Sequence, residues 1–86
     1  MTPDQLKSVE EKAGYFFSPE EIAIINEYPD SFIDREDFQR AYKKGRLIKE
    51  AALRKSIIDL ATSGSSPAQV LAVQIMKDTN LDRIKT

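Results

Sequence analysis

The chain has 86 residues, enough for one small domain and too few for two. Apolar residues make up 41% and charged residues 31%, the balance of a soluble globular protein rather than a disordered one. It holds no cysteine and no histidine. That excludes disulfides, thiol nucleophiles, Ser-His-Asp and Cys-His triads and zinc sites built on those residues. No apolar run approaches the roughly 20 residues of a membrane helix. Met1-Thr2-Pro3-Asp4 lacks the basic start and apolar stretch of a signal peptide. The expectation is therefore a cytoplasmic protein with no membrane partner.

The formal net charge of −1 hides an asymmetry. Residues 1–34 carry eight acids and two bases, residues 35–55 carry eight bases and three acids, and residues 56–86 balance. This block pattern means either attraction within the fold or a basic surface offered to a partner.

Three places show one helix-start signal: Thr2-Pro3-Asp4-Gln5, Ser18-Pro19-Glu20-Glu21 and Ser66-Pro67-Ala68-Gln69. The hydroxyl accepts a bond from a free backbone N–H, and the Gln or Glu side chain reaches back to the cap. Proline at the first helical position loses nothing, because its missing N–H has no helical partner there. Helices are predicted to open near 3, 19 and 67.

The first helix is expected to reach Ala13, with Leu6, Val9 and Ala13 on one face and Gly14 as a left-handed end. Tyr15-Phe16-Phe17 then forms an aromatic corner, read either as a plug between two short helices or as a stacking surface for bases. The second helix is expected over 19–28, with Ile22 and Ile25 inward and Ala23 and Ile24 as further candidates. Pro29 ends it.

Asp34 is the expected cap of a long third helix over 35–63, rich in Ala, Leu, Lys, Arg and Glu and free of proline. At 100° per residue, Phe38, Ala41, Tyr42, Gly45, Ile48, Ala52, Leu53 and Leu60 share a broad stripe. Leu47, Ala51 and Ile58 fall roughly opposite, where a second apolar strip would meet another helix. Gly45 is read either as a close helix contact or as a break. Gly64 closes the helix, and the short link Ser65-Ser66 turns a last helix, over 67–79, back antiparallel. Residues 80–86 form a tail with Leu81 and Ile84 as anchors, either a fraying end or a docking peptide.

The expected fold class is thus all-α: two short N-terminal helices, resembling a helix-turn-helix, followed by a long-helix antiparallel hairpin. The organisation is 1–34, 35–79 and a tail 80–86, in one compact unit.

The chemistry is sparse. Glu10-Glu11, Glu20-Glu21 and Glu36-Asp37 are paired acids on charged faces or in terminal turns of helices, where a structural role outweighs acid–base catalysis. There is no glycine-rich phosphate loop, and the spacing of Asp30 and Asp34 does not match a calcium loop. No catalytic constellation, metal site or cofactor is predicted, so the chain does not read as an enzyme. The basic stretch is the one candidate site. Arg40, Lys43 and Arg54 share the polar side of the wheel, with Lys44 and Lys55 at its edge. They form either a row for phosphates or a solvated helix face.

The run from Gly14 through Ser18-Pro19-Glu20-Glu21-Ile22-Ala23 resembles a helix-turn-helix entry. It is followed by Phe38-Gln39-Arg40-Ala41-Tyr42-Lys43-Lys44-Gly45-Arg46-Leu47, by Leu53-Arg54-Lys55-Ser56-Ile57, and by Ala61-Thr62-Ser63-Gly64-Ser65-Ser66-Pro67-Ala68. This order, over roughly residues 5–78, resembles the small subunit of bacteriophage terminases. The resemblance implies a non-catalytic DNA-packaging factor that forms a homo-oligomer through its helical hairpin. It also implies binding to double-stranded DNA and stimulation of the terminase large subunit, in the bacterial host cytoplasm. Carried onto this chain, Leu47, Ala51 and Ile58 would meet a neighbouring subunit. The N-terminal region is acidic, so phosphate contacts are expected at Arg35, Arg40, Lys43, Lys44 and Arg46 rather than on the second helix. The alternative is a helical protein–protein interaction or dimerisation module without DNA binding, its bases satisfied by the acidic N-terminal segment.

Overall fold

The computed structural model describes the backbone of residues 1–85 and the side chains of residues 1–78. Helices α1 (Pro3–Gly14), α2 (Pro19–Asn26), α3 (Glu36–Thr62) and α4 (Ser66–Lys85) follow in order, with a 3₁₀ turn at Asp30–Phe32. No strand occurs among the described residues. The chain divides into two compact units, Met1–Glu50 and Ala51–Thr86, and α3 runs through the boundary.

Two of the three start signals form as predicted. Thr2 Oγ1 accepts from the Gln5 N–H at 3.2 Å while Gln5 Oε1 accepts from the Thr2 N–H at 2.9 Å. Ser18 and Glu21 repeat the exchange at 3.1 and 2.8 Å. The third start shifts by one residue. Ser65 rather than Ser66 caps α4, its Oγ accepting from the Ala68 N–H at 3.4 Å. Gln69 does not reach back to the cap; its Nε2 donates to the Ala61 carbonyl at 3.2 Å. At α3 the expected Asp34 cap gives way to Arg35, whose carbonyl accepts from the Gln39 N–H at 3.0 Å. Asp37 turns its carboxylate onto the Phe38 N–H at 2.9 Å. Carboxylates in this first turn complement the helix dipole.

The helix ends also depart from expectation. Gly14 stays inside α1, and the left-handed residue is Phe16, at φ 67°. The N–H of Phe17 bonds the Lys12 carbonyl and that of Phe16 the Ala13 carbonyl, the paired bonds of a Schellman end. The same pair closes α2 around Glu27 (φ 57°) and α3 around Gly64 (φ 102°). Only the last of the three left-handed positions is glycine. A Cβ residue there costs roughly 1–2 kcal/mol.

In the first unit the core is Val9, Ala13, Ile22, Phe38 and Ala41, with Met1, Leu6, Tyr28, Phe32, Ile33 and Tyr42 packed around it. Full burial of Val9, Ile22 and Phe38 contributes about 1.5–3 kcal/mol each. Tyr28 and Phe32 rings meet with centroids 5.3 Å apart, and the Tyr28 hydroxyl donates to the Gln5 carbonyl at 3.4 Å. On α2, Ile22 and Ala23 are buried while Ile24 and Ile25 are exposed, which corrects the expected inward placement of Ile25. On α3 the apolar stripe is covered only as far as Gly45; Ile48, Ala52, Leu53 and Leu60 are exposed. Within the first unit the reason is length: α1 has 12 residues, about 18 Å, and meets α3 at Gly45. Gly45 is helical and buried, so α3 is continuous and the glycine marks a close approach, not a break.

In the second unit Ala68 is buried, and Ile57, Ala61, Ala72 and Ile75 are half-buried. These positions keep helical spacing on one side of each helix. Leu53, Ile58, Leu60, Val70, Leu71, Val73 and Met76 stand 48–70% exposed. Helix α4 continues to Lys85, past the expected end near 79. The side chains of 79–86, which include the expected anchors Leu81 and Ile84, lie outside the described residues.

Candidate nucleic-acid interface and assembly surface

The five basic residues expected to contact phosphate do not act as one row. Arg35 is held by Asp37, Nε to Oδ1 at 3.1 Å and Nη2 to Oδ2 at 3.5 Å. That hydrogen-bonded guanidinium lowers the Asp37 carboxyl to a pKa of about 2. The terminal ammonium of Met1 meets the same carboxylate at 3.2 Å. Lys44 stands 3.7 Å from Glu10. Arg46 donates to the Tyr42 hydroxyl at 3.1 Å. Arg40 and Lys43 are exposed, and neither side chain makes a hydrogen bond or ion pair among the described residues.

Arg35, Arg40 and Lys44 line one open groove of about 580 Å³ together with Leu6, Ala41, Glu10, Glu36 and Asp37. Three cations and three carboxylates share its walls, so it offers no single-signed field to a phosphate backbone. Of these carboxylates only Glu10 comes from the acidic N-terminal block; Glu36 and Asp37 belong to the basic block itself.

The aromatic corner takes a form that the plug reading did not anticipate. Tyr15, Phe16 and Phe17 are 69%, 45% and 36% exposed, which corrects the expectation that they fill a gap between helices. Two cations one turn apart on α3 lie over them. The Arg46 guanidinium carbon is 5.2 Å from the Phe16 ring centroid and 5.9 Å from that of Tyr42. Lys49 Nζ is 5.8 Å from the Tyr15 centroid. Such pairs contribute about 0.5–1 kcal/mol at exposed sites. Tyr42 ties the group together: its hydroxyl donates to the Phe17 carbonyl at 2.9 Å and accepts from Arg46. The Tyr42 hydroxyl also raises the Arg46 pKa further. Sequence reasoning named Arg46 but not Lys49. The local signal was the placement of Tyr42, Arg46 and Lys49 at i, i+4 and i+7, one face of α3.

The positions expected at a subunit interface, Leu47, Ala51 and Ile58, are all exposed. Leu47 belongs to the first unit, and Ala51 and Ile58 to the second.

Among the described residues no cluster of acids could hold a metal ion, and no helix is long and apolar enough to cross a membrane. No protein-family model matches the chain, and no curated protein or solved structure matches it either.

Proposed function

We propose that the chain is a non-catalytic assembly protein that associates with further copies of itself through the second unit. Its place would be that of a DNA-packaging adaptor of the terminase small-subunit kind. The observation that carries the reading is the thin core of that unit: among its described residues only Ala68 is buried, Ile57, Ala61, Ala72 and Ile75 are half-buried, and seven large apolar side chains stand exposed. A unit shorter than roughly 40 residues seldom holds its fold without a disulfide, a metal or a partner chain. This one has no cysteine.

A second copy is the favoured occupant on charge. Over 51–78 the unit carries Arg54, Lys55 and Lys77 against Asp59 and Asp78, and Lys55 already meets Asp59 at 2.7 Å. Two such surfaces can meet without like-charge repulsion. The half-buried positions on α3 and α4 support an antiparallel hairpin as the associating element, with Ala51 and Ile58 on its outer side.

The test is light scattering over a range of concentrations at low and high salt, on the native chain and on an Ile58→Lys, Leu71→Lys double variant. Both residues are about half exposed in the single chain, and circular dichroism reads whether the variant's helices persist once association is lost. A discrete oligomer that the variant loses supports the reading, and a monomer at every concentration overturns it.

Duplex DNA binding is a second reading, favoured by the exposed cations of Arg40 and Lys43, which lack partners among the described residues.

A further inference from the structure

We propose that Tyr15, Phe16, Arg46 and Lys49 form a binding site for single-stranded nucleic acid. Bases stack on the exposed rings and phosphates meet the two cations. The inference does not rest on self-association, because all four residues lie in the first unit.

Three observations carry it. First, three consecutive aromatic residues stand out of the core at a corner where burial would reward each of them. Second, Phe16 occupies a left-handed position that glycine fills at less strain, so its ring is presented against the preference of its own backbone. Third, the site is arranged in advance. Tyr42 bonds both the Phe17 carbonyl and Arg46, which fixes the guanidinium beside the Phe16 ring, while Lys49 is set over Tyr15.

Planar faces alternating with cations match the repeat of base and phosphate in an unpaired strand. Stacked bases inside a duplex are closed to such rings. An open pocket of about 230 Å³ beside Tyr15 and Lys49 has room for a base. Glu10 and Glu11 also line this pocket and offset part of the charge of Lys49, so it is a place for a base rather than a phosphate. With about two phosphates engaged, log affinity should fall against log salt with a slope near −1.4.

The experiment is fluorescence anisotropy of a labelled 12-nucleotide mixed-sequence DNA strand and of its 12-base-pair duplex, titrated with the full chain. The variants are Tyr15→Leu, Phe16→Leu and Arg46→Gln, with circular dichroism melts as the folding control. Tyr15→Leu keeps apolar bulk at a position 69% exposed, so it tests stacking without disturbing the fold. The expected result is binding of the single strand in preference to the duplex, weakened about tenfold by Tyr15→Leu. No binding of the single strand overturns the proposal. So does unchanged affinity in a folded Tyr15→Leu variant, or tighter binding of the duplex.

Discussion

Gly45 of α3 rests on the backbone of Glu10 in α1: a Cβ at Gly45 would overlap the Glu10 carbonyl oxygen and come within 2.9 Å of the Glu10 Cα. No rotamer relieves such a contact, because both sides of it are main chain. The approach brings α1 against the covered part of α3, with Gly14 facing the Gly45 carbonyl. Helix propensity favours Ala over Gly by about 1 kcal/mol, and here packing opposes it. Gly45→Ala is expected to destabilise the first unit by about 1–3 kcal/mol net of that gain. Urea unfolding followed by circular dichroism reads the change; a variant as stable as the native chain would mean the helices separate at no cost.

Glu27 supplies the opposite case. It is exposed, left-handed and acidic at the C-terminal end of α2, where the dipole disfavours negative charge. Glu27→Gly is expected to stabilise by about 0.5–1 kcal/mol, after allowance for the extra freedom of glycine in the unfolded chain. A raised urea midpoint at unchanged slope is the expected record.

Asp37 makes stability depend on acid. Arg35 lowers its folded pKa to about 2 from 3.8. A depressed carboxyl adds stability that is fully present above the unfolded value and is lost as pH falls through the folded one. The native chain should therefore exceed Asp37→Asn in stability at pH 5, with the difference closing between pH 4 and 2. Paired denaturant melts across that range check the sign; a difference that grows toward pH 2 would contradict it.

Arg40 and Lys43 separate the two nucleic-acid surfaces. If duplex DNA binds them, Arg40→Glu with Lys43→Glu should weaken duplex binding and reduce the salt slope by about 1.8, two phosphates at 0.9 each. Single-strand binding at Tyr15 and Phe16 should change far less. Anisotropy titrations at several salt concentrations distinguish them.

The candidate sites were partly legible in the chain. Arg46 could be named as a basic residue, but its role depends on Phe16 and Tyr42. Phe16 meets it only because α1 ends beside α3. The charge blocks were plain, yet which lysines and arginines are neutralised turned on single pairs such as Lys44 with Glu10. Charge counts carry no partner assignments.

The all-helical class and the starts of α1 and α2 follow from sequence alone, because a Ser or Thr followed by Pro and a Gln or Glu at the third helical position satisfies two free N–H groups within four residues. The tertiary structure decided which apolar positions are covered. On a helical wheel Phe38 and Leu60 belong to one stripe, yet Phe38 is buried and Leu60 is 56% exposed. Periodicity marks a face along the whole of α3, but burial needs a neighbour, and in the second unit the half-buried positions of α3 are Ile57 and Ala61, not Leu60. It also decided that Phe16 and Glu27, rather than Gly14, take the left-handed turns. Residue preference there is worth about 1–2 kcal/mol, which the paired bonds of each helix end and the packing around them outweigh.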